Sequence, residues 1–225
     1  MARQPGRFGF ARRYLDPASR LGEILFGVIM VLTVSLTAGL TADSGKEGAR
    51  QLLWAVLGCN IAWGVIDGLM YAMGCITVRS GQARLILAIQ ETTNQYRALD
   101  IIRGEVEPKF EFLTHPEQRE ALCRSILAYA STRRVRRVSV TKDDFFGALA
   151  CFWLVILACL PAAVPFLFLS DPVTALRISN ALMVAMLFIL GVKWGQYAYT
   201  NRWVAGMVMV GLGLSLVGVA ILLGG

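Results

Sequence analysis

The chain has 225 residues, of which 56% are hydrophobic and only 16% are charged, and its mean hydropathy is +0.58. This composition excludes an ordinary soluble domain of this length. The formal net charge is +7. Anionic lipid headgroups account for such an excess of Arg and Lys, so we expect a lipid bilayer as partner and no nucleic acid.

Five apolar segments are long enough, or nearly so, to cross a hydrocarbon core of about 30 Å, which takes roughly 20 helical residues. They predict transmembrane helices at 21–40, 52–78, 145–169, 174–194 and 203–224. The fourth is the weakest, because Arg177, Asn180 and Lys193 interrupt it and its end charges must reach the headgroups. The first is longer than the apolar core of a signal peptide, so we expect it to remain in the mature protein.

The distribution of Arg and Lys predicts the orientation in the membrane. Residues 1–20 contain five arginines, whereas the loop after the first span holds two basic and two acidic residues. We therefore expect a cytoplasmic N-terminus, an external C-terminus and a bacterial inner-membrane location. The domains expected are a basic N-terminus at 1–20, two spans within 21–78, a cytoplasmic helical insert at 79–144 and three spans within 145–225. The predicted fold is thus an all-α membrane protein with five transmembrane helices.

Residues 79–103 have apolar side chains at helical spacing and contain no proline, which predicts that the second span continues as one long helix. Gly104 and Pro108 predict its end. Thr114 and Glu117 have the spacing of a capping box, and they predict a further helix over 116–131.

Two features of the insert each allow both a purely structural and a functional interpretation. The run RRVRRVSV contains Arg133, Arg134, Arg136 and Arg137, which suit either a solvated orienting segment or a binding site for acidic lipids. Glutamates lie beside the only histidine of the chain and suit either a salt-bridged helix pair or a surface that collects divalent cations. These candidate metal ligands are Glu105, Glu107, Glu111 and His115.

Catalytic motifs are missing from the sequence. It has no Walker loop, GxGxxG, GxSxG or HExxH pattern, and a single histidine leaves little room for a base and nucleophile pair. The five cysteines show no CxxC pair or zinc-ligand spacing, so we interpret them as packing residues. We do not expect an enzyme or a tightly bound cofactor.

The second span carries Asp67 near its centre, on one helical face with Asn60, Gly64, Met70 and Tyr71. An ionised aspartate at this depth costs at least about 2.5–3.5 kcal/mol, so the carboxyl should face water or a partner, or keep a proton. The alternative is structural. Gly64 and Gly68 form a GxxxG pair that favours close helix packing, in which Asp67 bonds Asn60, Tyr71 or another helix.

The first span has a matching face, with side chains at steps of three or four residues. Its polar and thioether members are Glu23, Met30, Thr33 and Thr37. If the two faces meet, they combine carboxylates, thioethers, an amide and hydroxyls, a mixed set that suits Fe²⁺ or Mn²⁺ better than Mg²⁺.

The segment ITVRS at 76–80, with Met70 upstream, and the segment ALMVAMLFILGVKWGQYAYTNRWVAGMVMVGLGLSLVGVAILLGG at 181–225 resemble the vacuolar iron transporter family. The five spans and the acidic insert after the second are also similar. The resemblance implies a homodimer whose first two helices line a proton-coupled exit path for Fe²⁺ or Mn²⁺, and cytoplasmic glutamates that collect the metal.

The sequence differs from this family at the positions of the family's membrane carboxylates. Counting back from ITVRS, the family's second-helix glutamate falls on Gly74, and its first-helix aspartate falls within VLTVSLTAG, which has no acid. Glu23 corresponds to the acidic residue near the start of that helix. Asp67 lies two turns before Gly74 on the same face, which is consistent with a carboxylate that has moved along the helix.

These features lead to one functional hypothesis and two alternatives. The hypothesis is export of Fe²⁺ or Mn²⁺ in exchange for protons, with Asp67 as the central site and Glu23, Asn60 and Met70 assisting. The first alternative is a scaffold or accessory subunit that does not transport. The second is a transporter of a small organic solute, whose cavity would be lined by Trp54, Trp63 and Tyr71.

Overall fold

The structure is a computed structural model that describes residues 10–41 and 45–222, with side chains described for 10–36, 47–219 and 222. Within these ranges the chain forms eight helices and no strand. They are α1 (Phe10–Tyr14), α2 (Pro17–Thr41), α3 (Gly45–Glu91), α4 (Gln95–Phe110), α5 (Pro116–Thr132), α6 (Lys142–Phe168), α7 (Pro172–Tyr197) and α8 (Arg202–Leu222).

Five of these helices, α2, α3, α6, α7 and α8, are long and apolar enough to cross a membrane. The predictions of an all-α chain and of five apolar spanning helices are therefore confirmed. α3 has 47 residues and continues beyond position 78 to Glu91, so the prediction that the second span runs on as one long helix is confirmed up to that residue. The chain divides into two compact units, Met1–Ala72 with Lys142–Gly225, and Met73–Thr141.

The predicted helix end at Gly104 is wrong. The helix that contains residue 79 ends at Glu91, and α4 then runs through Gly104 and Pro108 to Phe110. Asn94 is the N-cap of α4, and its side-chain oxygen accepts from the Tyr96 amide at 2.9 Å. Pro108 is tolerated because it lies in the last turn, where its missing N–H removes only one helical bond.

The predicted capping box is displaced by one residue. His115, not Thr114, is the N-cap of α5, and its amide donates to Gln118 Oε1 at 3.2 Å. Pro116 decides this register, because proline suits the first helical position and holds the preceding residue in the extended conformation of an N-cap. The helix itself spans Pro116–Thr132, close to the predicted 116–131.

The Met73–Thr141 unit has a small core in which the last turns of α3 pack with α4 and α5. Ile89, Leu99, Ile102 and Cys123 are buried in it. Arg103 of α4 donates to Glu120 of α5 through Nε at 3.1 Å and Nη2 at 2.9 Å.

The other unit is a bundle built around α6. Its core includes Val28 and Leu32 of α2, Ala158 of α6, and Met183 and Leu187 of α7. Two polar contacts join its helices. Ser35 Oγ of α2 lies 2.6 Å from Asn180 Oδ1 of α7, and Ser179 Oγ donates to the Ala162 carbonyl of α6 at 2.9 Å. The Ser35 contact provides a partner for the side chain that weakens the fourth span.

Candidate functional site

Small residues let two helices, α2 and α3, approach α6 closely. A Cβ atom placed on Gly27 of α2 would come within 2.8 Å of the Val155 carbonyl oxygen. On α3, a Cβ atom at Gly64 would come within 3.1 Å of Phe152, and one at Gly68 within 2.8 Å of the Ala148 carbonyl oxygen. Glycine is therefore the residue that permits these backbone contacts.

This packing brings two carboxyl groups and a thiol together. Glu23 of α2 lies close enough to Asp67 of α3 and to Cys151 of α6 for the three groups to interact electrostatically. One oxygen of each carboxyl, Glu23 Oε2 and Asp67 Oδ2, is buried and has no hydrogen-bond partner. We refer to Glu23, Asp67 and Cys151 as the carboxyl cluster.

Within the described residues, no basic side chain contacts Glu23 or Asp67. Two adjacent carboxylates offer only acceptors and repel each other, so a proton or a cation between them stabilises the pair. Two neighbouring acids of this kind titrate as one coupled pair.

Asn60 lies deeper in the bundle than Asp67. It is fully buried, and its Nδ2 donates to the Val56 carbonyl one turn earlier at 3.0 Å. Its Oδ1 is buried and has no donor. The seven residues between Asn60 and Asp67 correspond to about 10 Å along α3, too far for both to bind one ion directly.

Tyr71 occupies a different environment from the one expected. Its hydroxyl donates to the Tyr14 carbonyl at 3.2 Å, and its ring lies where a Cβ atom on Gly147 would be. The side chain therefore contributes to the packing of the N-terminal segment and the start of α6.

The other residues predicted to line the transport path lie outside the carboxyl cluster. Met70 is 62% exposed on the outer surface of its helix, and Met30 is partly buried. Thr33 Oγ1 donates to the Ile29 carbonyl of its own helix at 2.9 Å. Thr37 belongs to α2, but its side chain lies outside the described residues.

The residues predicted to collect metal are all exposed in the Met73–Thr141 unit. Glu105 pairs with Lys109 at 3.0 Å within α4, while Glu107, Glu111 and His115 lie further along toward the start of α5. Among residues 10–41 and 45–222, no three His, Cys, Asp or Glu side chains converge in the manner of a metal site. That finding covers the carboxyl cluster as well as these four residues.

The basic run and the tryptophans are also exposed. Arg133, Arg134, Arg136 and Arg137 lie in the segment between α5 and α6, and the guanidinium of Arg133 stacks on the Tyr129 ring. Trp54 and Trp63 are 65% and 39% exposed, so neither forms the wall of an enclosed cavity.

Sequence reasoning missed Cys151, which it treated only as a packing residue. The available signal was the succession of small residues along α6 at helical spacing, with Gly147, Ala150, Cys151 and Ala158 all buried. Such a stripe predicts where other helices approach. No protein-family model and no curated protein matches the chain. Function has to be inferred from the chemistry of the carboxyl cluster.

Proposed function

We propose that the protein is a membrane transporter that exchanges a divalent transition-metal cation, Fe²⁺ or Mn²⁺, for protons at the carboxyl cluster. The observation that carries this proposal is the proximity of the Glu23 and Asp67 carboxyls in helices of spanning length, each with one buried oxygen that has no hydrogen-bond partner. In such surroundings a pair of acids without a basic partner needs a proton or a cation.

The charge balance favours exchange over simple binding. With one shared proton the pair carries one negative charge, and with both carboxyls ionised it carries two. A divalent cation neutralises the second state and expels the proton. Loading the cation is thus coupled to proton release, and protonation on the other side of the membrane favours cation release.

The donor types agree with a transition metal. Two carboxylates and a thiol form a mixed oxygen and sulfur set, which suits Fe²⁺ or Mn²⁺ better than a purely oxygen-binding cation. Because the three groups do not converge as metal ligands among the described residues, binding has to draw the carboxyls around the ion.

The wider transport scheme extends this proposal. In this scheme the N-terminus and the Met73–Thr141 unit lie in the cytoplasm, as their basic segments favour, and Glu105, Glu107, Glu111 and His115 collect the cation there. Export through a homodimer is the arrangement that the resemblance to the vacuolar iron transporter family implies.

The test is metal flux into proteoliposomes that contain a metal reporter and a pH-sensitive dye. D67N and E23Q each remove one ionisable group and retain the size of the side chain. We expect both to lower Mn²⁺ and Fe²⁺ flux and the opposing proton flux at least tenfold. E91Q, at the exposed end of the same long helix as Asp67, is the matched control and should transport like the wild type.

A second candidate is a membrane scaffold that binds a protein partner and moves no ion. The lack of three converging metal ligands in the described part of the chain favours it. Absence of flux with the wild type and a stable copurifying protein would support the scaffold. Equal flux with the wild type and D67N would instead leave transport in place and remove Asp67 from it.

A further inference from the structure

The bundle contains a cavity that the proposed transport mechanism does not use. Its volume is about 610 Å³, within the range of about 300–1,000 Å³ that is typical of ligand pockets. Its walls come from the N-terminal helix, the first turns of α2, the middle of α6 and the end of α7. The residues that line it include Phe10, Pro17, Leu21, Ala150, Trp153 and Tyr197.

Three cations reach this cavity from three different elements. They are Arg12 in α1, Arg20 in α2 and Lys193 near the end of α7, and none of the described lining residues is acidic. Two acids adjoin the lining residues along the chain. Asp16 is held at the start of α2, where it accepts from the Ala18 and Ser19 amides at 2.9 and 3.1 Å, and Glu23 belongs to the carboxyl cluster. The cavity is therefore complementary to an anion.

The rest of the lining is apolar. Ile24, Leu154 and Leu157 lie further along α2 and α6, away from the cationic end. From Ala150 to Leu157 the cavity follows α6 for about 10 Å, at a rise of 1.5 Å per residue. Trp153 in α6 and Tyr197 at the end of α7 also line the cavity, and such aromatic residues are common at the level of lipid headgroups.

We propose that this cavity binds one anionic phospholipid, with its phosphate near Arg20 and Lys193 and the upper part of an acyl chain along Leu154 and Leu157. Cationic pockets between membrane helices are suited to acidic headgroups. The apolar depth distinguishes this ligand from free phosphate, which gains nothing from leucine side chains. The site is also separate from the exposed arginines at 133–137.

The test is native mass spectrometry of the full-length protein in detergent, titrated with dioleoyl phosphatidylglycerol or with dioleoyl phosphatidylcholine. These lipids have the same chains and differ in headgroup charge. We expect the wild type to prefer phosphatidylglycerol. R20Q/K193Q should weaken its binding by roughly fivefold for each cation removed, and should leave phosphatidylcholine binding unchanged.

Two further variants test whether the position of the removed charges matters and whether the apolar end of the cavity matters. R134Q/R137Q removes the same charge from the exposed run, and it should bind phosphatidylglycerol like the wild type. L157W retains the cations and fills the apolar end at a position that is 51% exposed, so it should fold and still lose phosphatidylglycerol binding.

Four outcomes would overturn the proposal. They are equal binding of phosphatidylglycerol by the wild type and R20Q/K193Q, an equal loss in R134Q/R137Q, unchanged binding in L157W, and equal affinity of the wild type for the two lipids. Competition by inorganic phosphate or glycerol 3-phosphate at the same concentration as the lipid would also overturn it, in favour of a soluble phosphate site.

Discussion

The carboxyl groups of Glu23 on α2 and Asp67 on α3 lie close enough to interact with each other, and the thiol of Cys151 on α6 lies beside Glu23. Three helices that are distant in the chain thus contribute to one polar cluster. Its members come from long apolar helices, in which desolvating an ionised carboxyl is costly.

A shared proton in this pair predicts an infrared signal from a protonated carboxyl in the wild type at neutral pH. The double variant E23Q/D67N should lose that signal, because neither amide can carry the proton. E91Q should retain it, since Glu91 is exposed at the end of α3. An unchanged band in E23Q/D67N would show that the proton belongs to other acids.

Close packing of α3 against α6 predicts that G68A is destabilising. The added Cβ atom would lie 2.8 Å from the Ala148 carbonyl oxygen, and overpacking of this kind costs about 1–3 kcal/mol. Gly58 in the same helix has nothing within 4 Å of its Cβ position, so G58A should be neutral or slightly stabilising. Reversible unfolding in mixed micelles measures both. Equal stability of the two variants would contradict the packing.

The contact between Ser35 and Asn180 predicts a modest coupling between α2 and α7. Interhelical hydrogen bonds in membranes contribute about 0.6 kcal/mol on average. A double-mutant cycle of S35A, N180A and the double variant should give a coupling of this order. S215A is the control, because Ser215 Oγ donates only within α8, to the Gly211 carbonyl. Additive effects of S35A and N180A would show that the two helices are not coupled there.

The contact between Arg103 and Glu120 predicts a pH dependence in the Met73–Thr141 unit. The hydrogen bonds from the Arg103 guanidinium lower the pKa of Glu120 below its ordinary value of about 4.3. A lowered pKa in the folded state means that the ionised group stabilises the contact above that ordinary value, and that the contribution is lost as the pH falls through the lowered pKa.

Hydrogen exchange of the α4 and α5 amides in the full-length protein tests this dependence. E120Q should exchange faster than the wild type at neutral pH, and the difference should vanish in acid, where the wild-type carboxyl is also neutral. E105Q is the control, because Glu105 pairs only with Lys109 in its own helix and both are exposed. A difference that persists in acid would mean that the charge of Glu120 is irrelevant.

Some helix ends could not be predicted from local signals. Gly104 and Pro108 favour an end locally, yet the break comes before Asn94 and α4 continues past Gly104. The core accounts for both. Leu99 and Ile102 are buried with Ile89 of α3, and Val106, beyond Gly104, is buried in the same core. Tertiary packing outweighs the helix penalty of a single glycine, which is about 1 kcal/mol.

For the candidate site, too, the sequence pattern predicts one part and leaves the rest to tertiary packing. Helical periodicity is enough to place Asn60, Gly64 and Asp67 on one face of the second span. It does not indicate which helix meets that face, and it provides no reason to single out Cys151. Those contacts depend on glycines in two helices that allow the backbones to approach α6.

By itself the sequence determined that the chain is helical and has five helices suited to a bilayer, because insertion depends on the length and hydropathy of each segment taken alone. Only the tertiary structure decided that Glu23 lies beside Asp67, and that Arg20 and Lys193 line one cavity. Such contacts depend on how helices that lie far apart in the chain pack against one another, and a local sequence pattern carries no information about that packing.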